Sequence, residues 1–227
     1  MKVVDELAGS IDHTLLSATA AREDIRRVCR EAMRERFAAV CVNPLWVSEA
    51  AAVLAGSPVA VATVAGFPLG ASTAEAKVAE ARRAVGDGAR EIDMVISLGL
   101  LKSGEDDAVR AEIAAVAETA HEVGGLLKVI VETCYLSDDE KRRAVLLASS
   151  GGADFVKTST GFGSGGATIE DVALLRRLAP GGVGVKASGG IKTFAHARAM
   201  LAAGANRLGT SAGVAIVTEA RRWYESR

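Results

Sequence analysis

One pattern recurs along the chain and restricts its possible folds more than any other feature. A short run rich in β-branched residues is followed by a loop of small residues and then by an amphipathic helical segment. About eight such units, each of roughly 28 residues, are typical of a single (β/α)8 TIM barrel. The predicted strands are Gly9–His13, Ala38–Val42, Val59–Val64, Glu91–Ile96, Leu127–Glu132, Asp154–Thr158, Val183–Ala187 and Arg207–Gly209.

The helical segments carry boundary signals of their own. Thr73, Ser137, Thr168 and Thr193 each stand directly before a run with helical periodicity, where a hydroxyl side chain can cap the first turn. A doubly wound open sheet is the competing fold, but it usually has fewer strands and often a GxGxxG loop after the first of them. No such loop follows the first strand here. The pattern therefore favours the barrel, as one domain over residues 1–227.

Charge and cysteine usage exclude several classes of partner. The net charge of the 227 residues is -1, and the basic and acidic residues are interspersed, so we expect binding to neither nucleic acid nor membrane. No apolar run approaches the roughly 20 residues that span a bilayer, and the N-terminus does not resemble a signal peptide. Cys29, Cys41 and Cys134 are far apart, which is typical of reduced thiols. We expect a soluble cytoplasmic protein.

Ionisable residues stand late in several predicted strands. Asp93, Lys157 and Lys186 lie on strands four, six and seven. Both faces of a barrel strand are covered, and active sites are built at the carboxyl ends of the strands. If strands six and seven are adjacent, the two ammonium groups converge, and repulsion together with burial lowers at least one lysine pKa. A neutral lysine can attack a carbonyl to form a Schiff base, and Asp93 can relay protons. These are the catalytic groups that a lysine-dependent aldolase requires.

Other ionisable residues near the strands have less specific interpretations. Lys128, Glu91 and Arg207 stand near strand starts, and we interpret them as structural ion-pair partners. Glu132 has two possible roles, support for the packing or a place in the site. On the first strand, Asp12 and Thr14 are expected to hydrogen-bond into the mouth of the barrel, whereas His13 alternates to the opposite face.

Three glycine-rich loops form a second signal. They follow strands six, seven and eight as TSTGFGSGG, as SGG at 188–190 and as GTSAG at 209–213. Small residues let backbone N–H groups approach an anion, and the loops after strands seven and eight of barrels frequently bind phosphate. We therefore predict a phosphorylated substrate.

The motifs together resemble the deoxyribose-phosphate aldolase family, class I aldolases on a (β/α)8 barrel. IDHTLL, VCVNP, VAGFPLGAS, EIDMVISLGLLKSG, LKVIVETCYL, FVKTSTGFGSGGAT, VKASGGI and NRLGTSAG occur in the family's order, nearly end to end. The resemblance implies reversible cleavage of 2-deoxy-D-ribose 5-phosphate to acetaldehyde and D-glyceraldehyde 3-phosphate, without a metal or organic cofactor. It implies that Lys157 forms the Schiff base, that Lys186 lowers its pKa and that Asp93 relays protons.

The resemblance also implies a set of phosphate ligands and an oligomer. Phosphate binding falls to Gly161, Gly189, Gly190, Gly209 and Ser211, and a homodimer or higher homo-oligomer is expected. The sequence departs from some family members at two places. Phe162 stands where they have a lysine that binds phosphate, and Tyr224 lies in the last helix rather than in a C-terminal tail. Three alternatives stay open: an aldolase for another sugar phosphate, a catalytically silent phosphate-binding barrel, and an isomerase that uses Glu132 as its base.

Overall fold

The computed structural model describes residues 2–226, in which eight parallel strands close into a barrel. Neighbouring strands pair in chain order, and the last pairs with the first. The predicted (β/α)8 architecture is therefore confirmed. The strands are β1 Ile11–Leu15, β2 Ala39–Val42, β3 Ala60–Ala65, β4 Glu91–Val95, β5 Leu126–Ile130, β6 Phe155–Lys157, β7 Gly184–Ser188 and β8 Arg207–Thr210.

Helices alternate with the strands and cover the outside of the barrel. They are α1 Lys2–Ala8, α2 Arg22–Glu35, α3 Val47–Val53, α4 Ala74–Gly86, α5 Leu98–Ser103, α6 Asp106–His121, α7 Asp138–Ser150, α8 Ile169–Leu178, α9 Phe194–Ala202 and α10 Gly213–Glu225. The four predicted caps are confirmed, because each hydroxyl accepts a hydrogen bond from the backbone N–H three residues later. These residues are Thr73, Ser137, Thr168 and Thr193.

The first strand differs from its prediction. It begins at Ile11 rather than at Gly9, because Lys2–Ala8 form α1 and the chain turns directly after this helix. The Gly9 N–H donates to the Asp5 carbonyl at 2.9 Å and closes the turn. The two-residue shift leaves the alternation unchanged, so His13 still faces outward, where it is buried against Phe37 and Glu31.

The barrel interior has an apolar side and a charged side. On β2 and β3, Ala39, Cys41, Ala62 and Val64 form a small buried cluster with Leu16. The other six strands send ionisable side chains inward, as described below. None of the helices within residues 2–226 is long and apolar enough to cross a membrane.

Candidate active site

A set of ionisable side chains, which we call the charged cluster, fills one side of the barrel interior. Arg207 on β8 contacts Glu91 on β4 at 3.4 Å, and Lys128 on β5 contacts Asp12 on β1 at 3.6 Å. Contacts between such distant strands can pass only through the interior. The charged cluster consists of Asp12, Glu91, Asp93, Lys128, Lys157, Lys186 and Arg207.

Asp93 is the centre of the charged cluster. Its Oδ2 accepts hydrogen bonds from the Nζ atoms of Lys157 and Lys186, both at 2.7 Å, and its Oδ1 accepts one from Lys128 at 2.9 Å. The register explains the convergence, because Lys157 and Lys186 are direct partners on β6 and β7. The sequence-based expectation that these three residues meet is confirmed.

Asp12 and Glu91 complete the charged cluster below this centre. Asp12 accepts from Lys186 at 2.5 Å and from Arg207 at 2.6 Å, and Glu91 pairs with Lys128 at 2.5 Å. The interpretation of Glu91, Lys128 and Arg207 as ion-pair partners is confirmed. The expectation that Asp12 reaches into the mouth is wrong. Its side chain is fully buried and committed to the two cations, and Thr14, two residues further along β1, lines the cavity instead.

The two lysines respond differently to their shared surroundings. Burial lowers the pKa of Lys157, and the nearby Lys186 ammonium adds to this effect, while Asp93 opposes it. Burial also lowers the pKa of Lys186, but Asp12 and Asp93 outweigh it and hold that pKa above its ordinary value. The prediction that one lysine pKa falls is thus confirmed for Lys157. Burial raises the pKa of Asp93, yet Lys128, Lys157 and Lys186 hold it well below the usual range, so Asp93 is a carboxylate.

Glycine at position 209 makes room for this arrangement. A Cβ there would lie 2.9 Å from the Ser188 Cβ and 3.1 Å from the Lys186 Cε. Any side chain would therefore displace the Lys186 stem from its position over Asp93.

A cavity of about 520 Å³ opens at the carboxyl ends of the strands. Lys157 lines this cavity, whereas Lys186 and Asp93 are completely buried beneath it. A ligand therefore meets the amine of Lys157 first. The lining residues are Thr14, Leu15, Leu16, Ser17, Lys157, Thr160, Gly161, Phe162, Ser188, Gly189, Gly190, Ile191, Lys192, Gly209, Thr210 and Ser211.

All of the predicted phosphate ligands lie in the wall of this cavity, and Thr14 lies there with them. Gly161 and Gly189 have φ values of +85° and +89°, a left-handed conformation that side chains disfavour. Ser211 stands two residues before α10, and the positive end of that helix dipole is not offset by an acidic residue in the first turn.

Lys192 is a cavity residue that the sequence reasoning missed. It is exposed and lines the same wall as Gly189 and Gly190. The available signal was a basic residue directly after the SGGI loop and directly before Thr193, which caps α9. Lys192 supplies a cation to the cavity, in which position 162 is the apolar Phe162.

Glu132 and Tyr224, two further residues considered in the sequence, have contacts typical of a structural role. The Glu132 carboxylate accepts hydrogen bonds from the backbone N–H and the hydroxyl of Thr160, so it anchors the loop after β6. Tyr224 lies near the end of α10 and packs on Trp223 and Phe194, at ring distances of 4.6 and 6.2 Å. Tyr224 is not among the residues that line the cavity.

Cys41 and Phe162 border the site. Burial raises the pKa of the Cys41 thiol to about 11, and the Asp93 carboxylate adds to this effect, so the thiol is protonated at neutral pH. Phe162 is 58% exposed and packs edge-to-face on Phe67 at 5.3 Å, which forms an apolar wall at the mouth.

Comparisons with known proteins agree with this geometry. The family model described as DeoC/LacD family aldolase matches residues 7–219. The deoxyribose-phosphate aldolase of Brevibacillus brevis is 55% identical over 211 residues, which are 93% of this chain and 95% of that protein. The one of Thermococcus gammatolerans is 55% identical over 218 residues, covering 95% and 97%. A tetrameric deoxyribose phosphate aldolase from Aeropyrum pernix is 35% identical with a TM-score of 0.92, covering 98% and 94%. The chain therefore belongs to the DeoC/LacD family of aldolases.

Proposed function

We propose that this protein is a deoxyribose-phosphate aldolase, which reversibly cleaves 2-deoxy-D-ribose 5-phosphate to acetaldehyde and D-glyceraldehyde 3-phosphate. The relatives that carry this name match more than 90% of the chain at 55% identity. One observation carries the chemistry. A buried lysine with a lowered pKa opens onto a cavity that has glycine loops and a cation on its wall.

Lys157 is the proposed nucleophile, and Lys186 its electrostatic partner. Lys157 lines the cavity and loses its proton more readily than an ordinary lysine, whereas Lys186 is buried and keeps its proton. A neutral amine that reaches the cavity is what carbonyl attack requires. Asp93 holds both nitrogens 2.7 Å from one oxygen and so fixes the direction of the Lys157 side chain.

The reaction proceeds through an imine and an enamine. The Lys157 amine adds to C1 of the open-chain sugar, and loss of water gives a protonated imine. The C3 hydroxyl loses its proton, through Lys186 or a water molecule, toward the Asp93 carboxylate, and the C2–C3 bond breaks into the electron-poor imine. Glyceraldehyde 3-phosphate leaves, C2 of the enamine takes up a proton, and water releases acetaldehyde from Lys157.

The cavity wall formed by the loops after β6, β7 and β8 is the proposed phosphate site. Gly161, Gly189, Gly190 and Gly209 offer backbone that no side chain covers, Ser211 and Thr14 add hydroxyls, and Lys192 adds charge. The positive end of α10 favours the same anion. The phosphate grip holds C1 of the sugar at a fixed distance from the amine.

Borohydride trapping tests the nucleophile. The protein is incubated with acetaldehyde, reduced and digested, and the modified peptide is located by mass spectrometry. We expect a two-carbon adduct on Lys157 that is absent from Lys157→Met and present in Lys77→Met, which removes a buried lysine outside the barrel interior. An adduct on Lys186 would reverse the two assignments, and no adduct on a folded protein would favour the silent barrel or the isomerase.

Cleavage assays test the substrate. We expect faster cleavage of 2-deoxyribose 5-phosphate than of ribose 5-phosphate, and the reverse order would favour the alternative of an aldolase for another sugar phosphate. The isomerase reading requires a free base, and Glu132 has its carboxylate occupied by Thr160.

We further propose a cytoplasmic homo-oligomer, a homodimer or larger, in which each chain is one barrel domain. The free cysteines Cys29, Cys41 and Cys134 support a reducing compartment, and the tetrameric relative from Aeropyrum pernix supports self-association. Light scattering of the purified protein measures the assembly, and a monomeric mass would exclude it.

A further inference from the structure

Glu91 and Arg207 lie in the lower part of the charged cluster, away from the cavity. Glu91 is two residues before Asp93 on β4, and Arg207 is two residues before Gly209 on β8. They are nevertheless connected to the proposed nucleophile. Glu91 pairs with Lys128, which contacts Asp93 at 2.9 Å, and Asp93 accepts from Lys157 at 2.7 Å.

Arg207 is connected by the other route. It donates to Asp12 at 2.6 Å, and Asp12 accepts from Lys186, which is bound to the same Asp93 oxygen as Lys157. Arg207 also contacts Glu91 at 3.4 Å, so the two routes close into a ring of ion pairs.

The numbers of basic and acidic side chains determine the net charge of the charged cluster. The charged cluster contains four basic side chains, which are Lys128, Lys157, Lys186 and Arg207. It contains three carboxylates, those of Asp12, Glu91 and Asp93. With every group ionised, the buried cluster carries one positive charge in excess, and it becomes neutral when Lys157 loses its proton. Excess charge is costly inside a protein, so the balance favours the neutral amine.

We propose that Glu91 and Arg207 are positioning residues that set the protonation state of Lys157 from below, by fixing the charge balance of the ring. This inference rests on the proposed role of Lys157 as nucleophile. Neither residue touches the reacting atoms. The groups that face Lys157 or the ring from the surrounding strands and the cavity are Asp12, Cys41, Glu91, Asp93, Lys128, Lys186, Lys192 and Arg207.

Opposite substitutions have opposite expected effects. Glu91→Gln removes a negative charge, raises the positive excess and favours loss of the Lys157 proton, so the apparent pKa of Lys157 falls. Arg207→Gln removes a positive charge, and the pKa rises. Strand spacing places each group roughly 7 to 10 Å from Lys157, so we expect shifts of about 1 pH unit in opposite directions. The double variant restores the balance and the wild-type value.

Competitive labelling of the intact protein measures this pKa without any aldolase reaction. Acetic anhydride is applied across a pH series, and the rate of Lys157 acetylation is followed by peptide mass spectrometry. The matched control is Glu112→Gln, which makes the same chemical change in a buried ion pair on the outer helices α4 and α6. We expect the control to lower stability and leave the Lys157 midpoint unchanged. The acid limb of the cleavage rate should move with the labelling midpoint.

Several results overturn the inference. These are shifts of the same sign in both single variants, no shift in either, or an equal shift in Glu112→Gln. If a single variant does not fold, Arg207→Lys and the double variant keep the charge count, and a displaced midpoint in either one rejects the proposal. A wild-type protein that labels as expected but forms no imine refutes the proposed function and leaves the charge balance standing.

Discussion

Replacing Lys186 by Met tests how the lysine pair works. The Nζ atoms of Lys157 and Lys186 lie 2.7 Å from the same Asp93 oxygen. They are therefore at most about 5.4 Å apart, where two unit charges repel by about 3 kcal/mol at an effective dielectric constant of about 20. Lys186→Met removes this repulsion and leaves the charged cluster neutral with Lys157 protonated. The pKa of Lys157 therefore rises.

The expected displacement is large enough to measure. An energy of about 3 kcal/mol corresponds to about 2 pH units, so the acid limb of kcat/KM should move upward by that amount. Below this limb the rate should fall about tenfold for each pH unit, because only the neutral amine reacts. The position of the limb reports the electrostatic role of Lys186. The height of the plateau above it reports any direct role in proton transfer.

The assay is the pH dependence of deoxyribose 5-phosphate cleavage, with labelling of Lys157 as a second readout. Lys77→Met is the matched control, because it removes a fully buried lysine that pairs with Glu112 and Ser97 outside the barrel. Its acid limb should stay at the wild-type position. An acid limb of Lys186→Met that stays in place or moves to lower pH would refute the reasoning.

Three other predictions concern stability and substrate binding. Glu112→Gln leaves the buried Lys77 ammonium without its counterion and should lower the free energy of unfolding, measured in urea, by about 3–5 kcal/mol. The control Asp87→Asn breaks an exposed ion pair with Arg83 and should lower it by less than about 1 kcal/mol. Lys192→Gln should raise KM for deoxyribose 5-phosphate severalfold but leave cleavage of unphosphorylated deoxyribose unchanged, and equal losses on both would argue against a phosphate contact. The pKa of Asp12 is lowered in the folded state, because Lys186, Lys128 and Arg207 outweigh the effect of burial. The ionised Asp12 therefore stabilises the fold above its unfolded pKa of about 4, and this contribution disappears as the pH falls toward the folded value. The stability deficit of Asp12→Asn should thus be largest near neutral pH and shrink in acid, and a deficit independent of pH would contradict the ion pairs.

Much of the site was predictable because, in a parallel barrel, the position of a residue along its strand determines at which end of the barrel it lies. Parallel pairing places residues late in consecutive strands at the same rim, so Lys157 and Lys186 had to be neighbours once the strand order was known. The side-chain period of two also placed His13 on the outer face. The glycine loops after β6, β7 and β8 could be assigned to the same end for the same reason.

Other features depend on contacts across the barrel, which no local pattern reports. Asp12 looked like a residue of the mouth, but its carboxylate is fully buried and binds Lys186 and Arg207, which come from the other end of the chain. Lys192 could be read as an ordinary loop lysine until the folded wall placed it beside Gly190.

By itself, the sequence determined the alternation of strands and helices, the caps, the barrel and the end of the barrel that carries the chemistry. These follow from periodicity and chain order, which are local properties. Apart from the family resemblance, only the tertiary structure distinguished the two lysines, because it shows that Lys157 opens onto the cavity and that Lys186 has a raised pKa. Both Lys157 and Lys186 are buried beside Asp93, but Lys186 has Asp12 as a second carboxylate, from a strand far away in sequence. The pKa of a buried group depends on distances to all surrounding charges, and those distances exist only after the barrel closes.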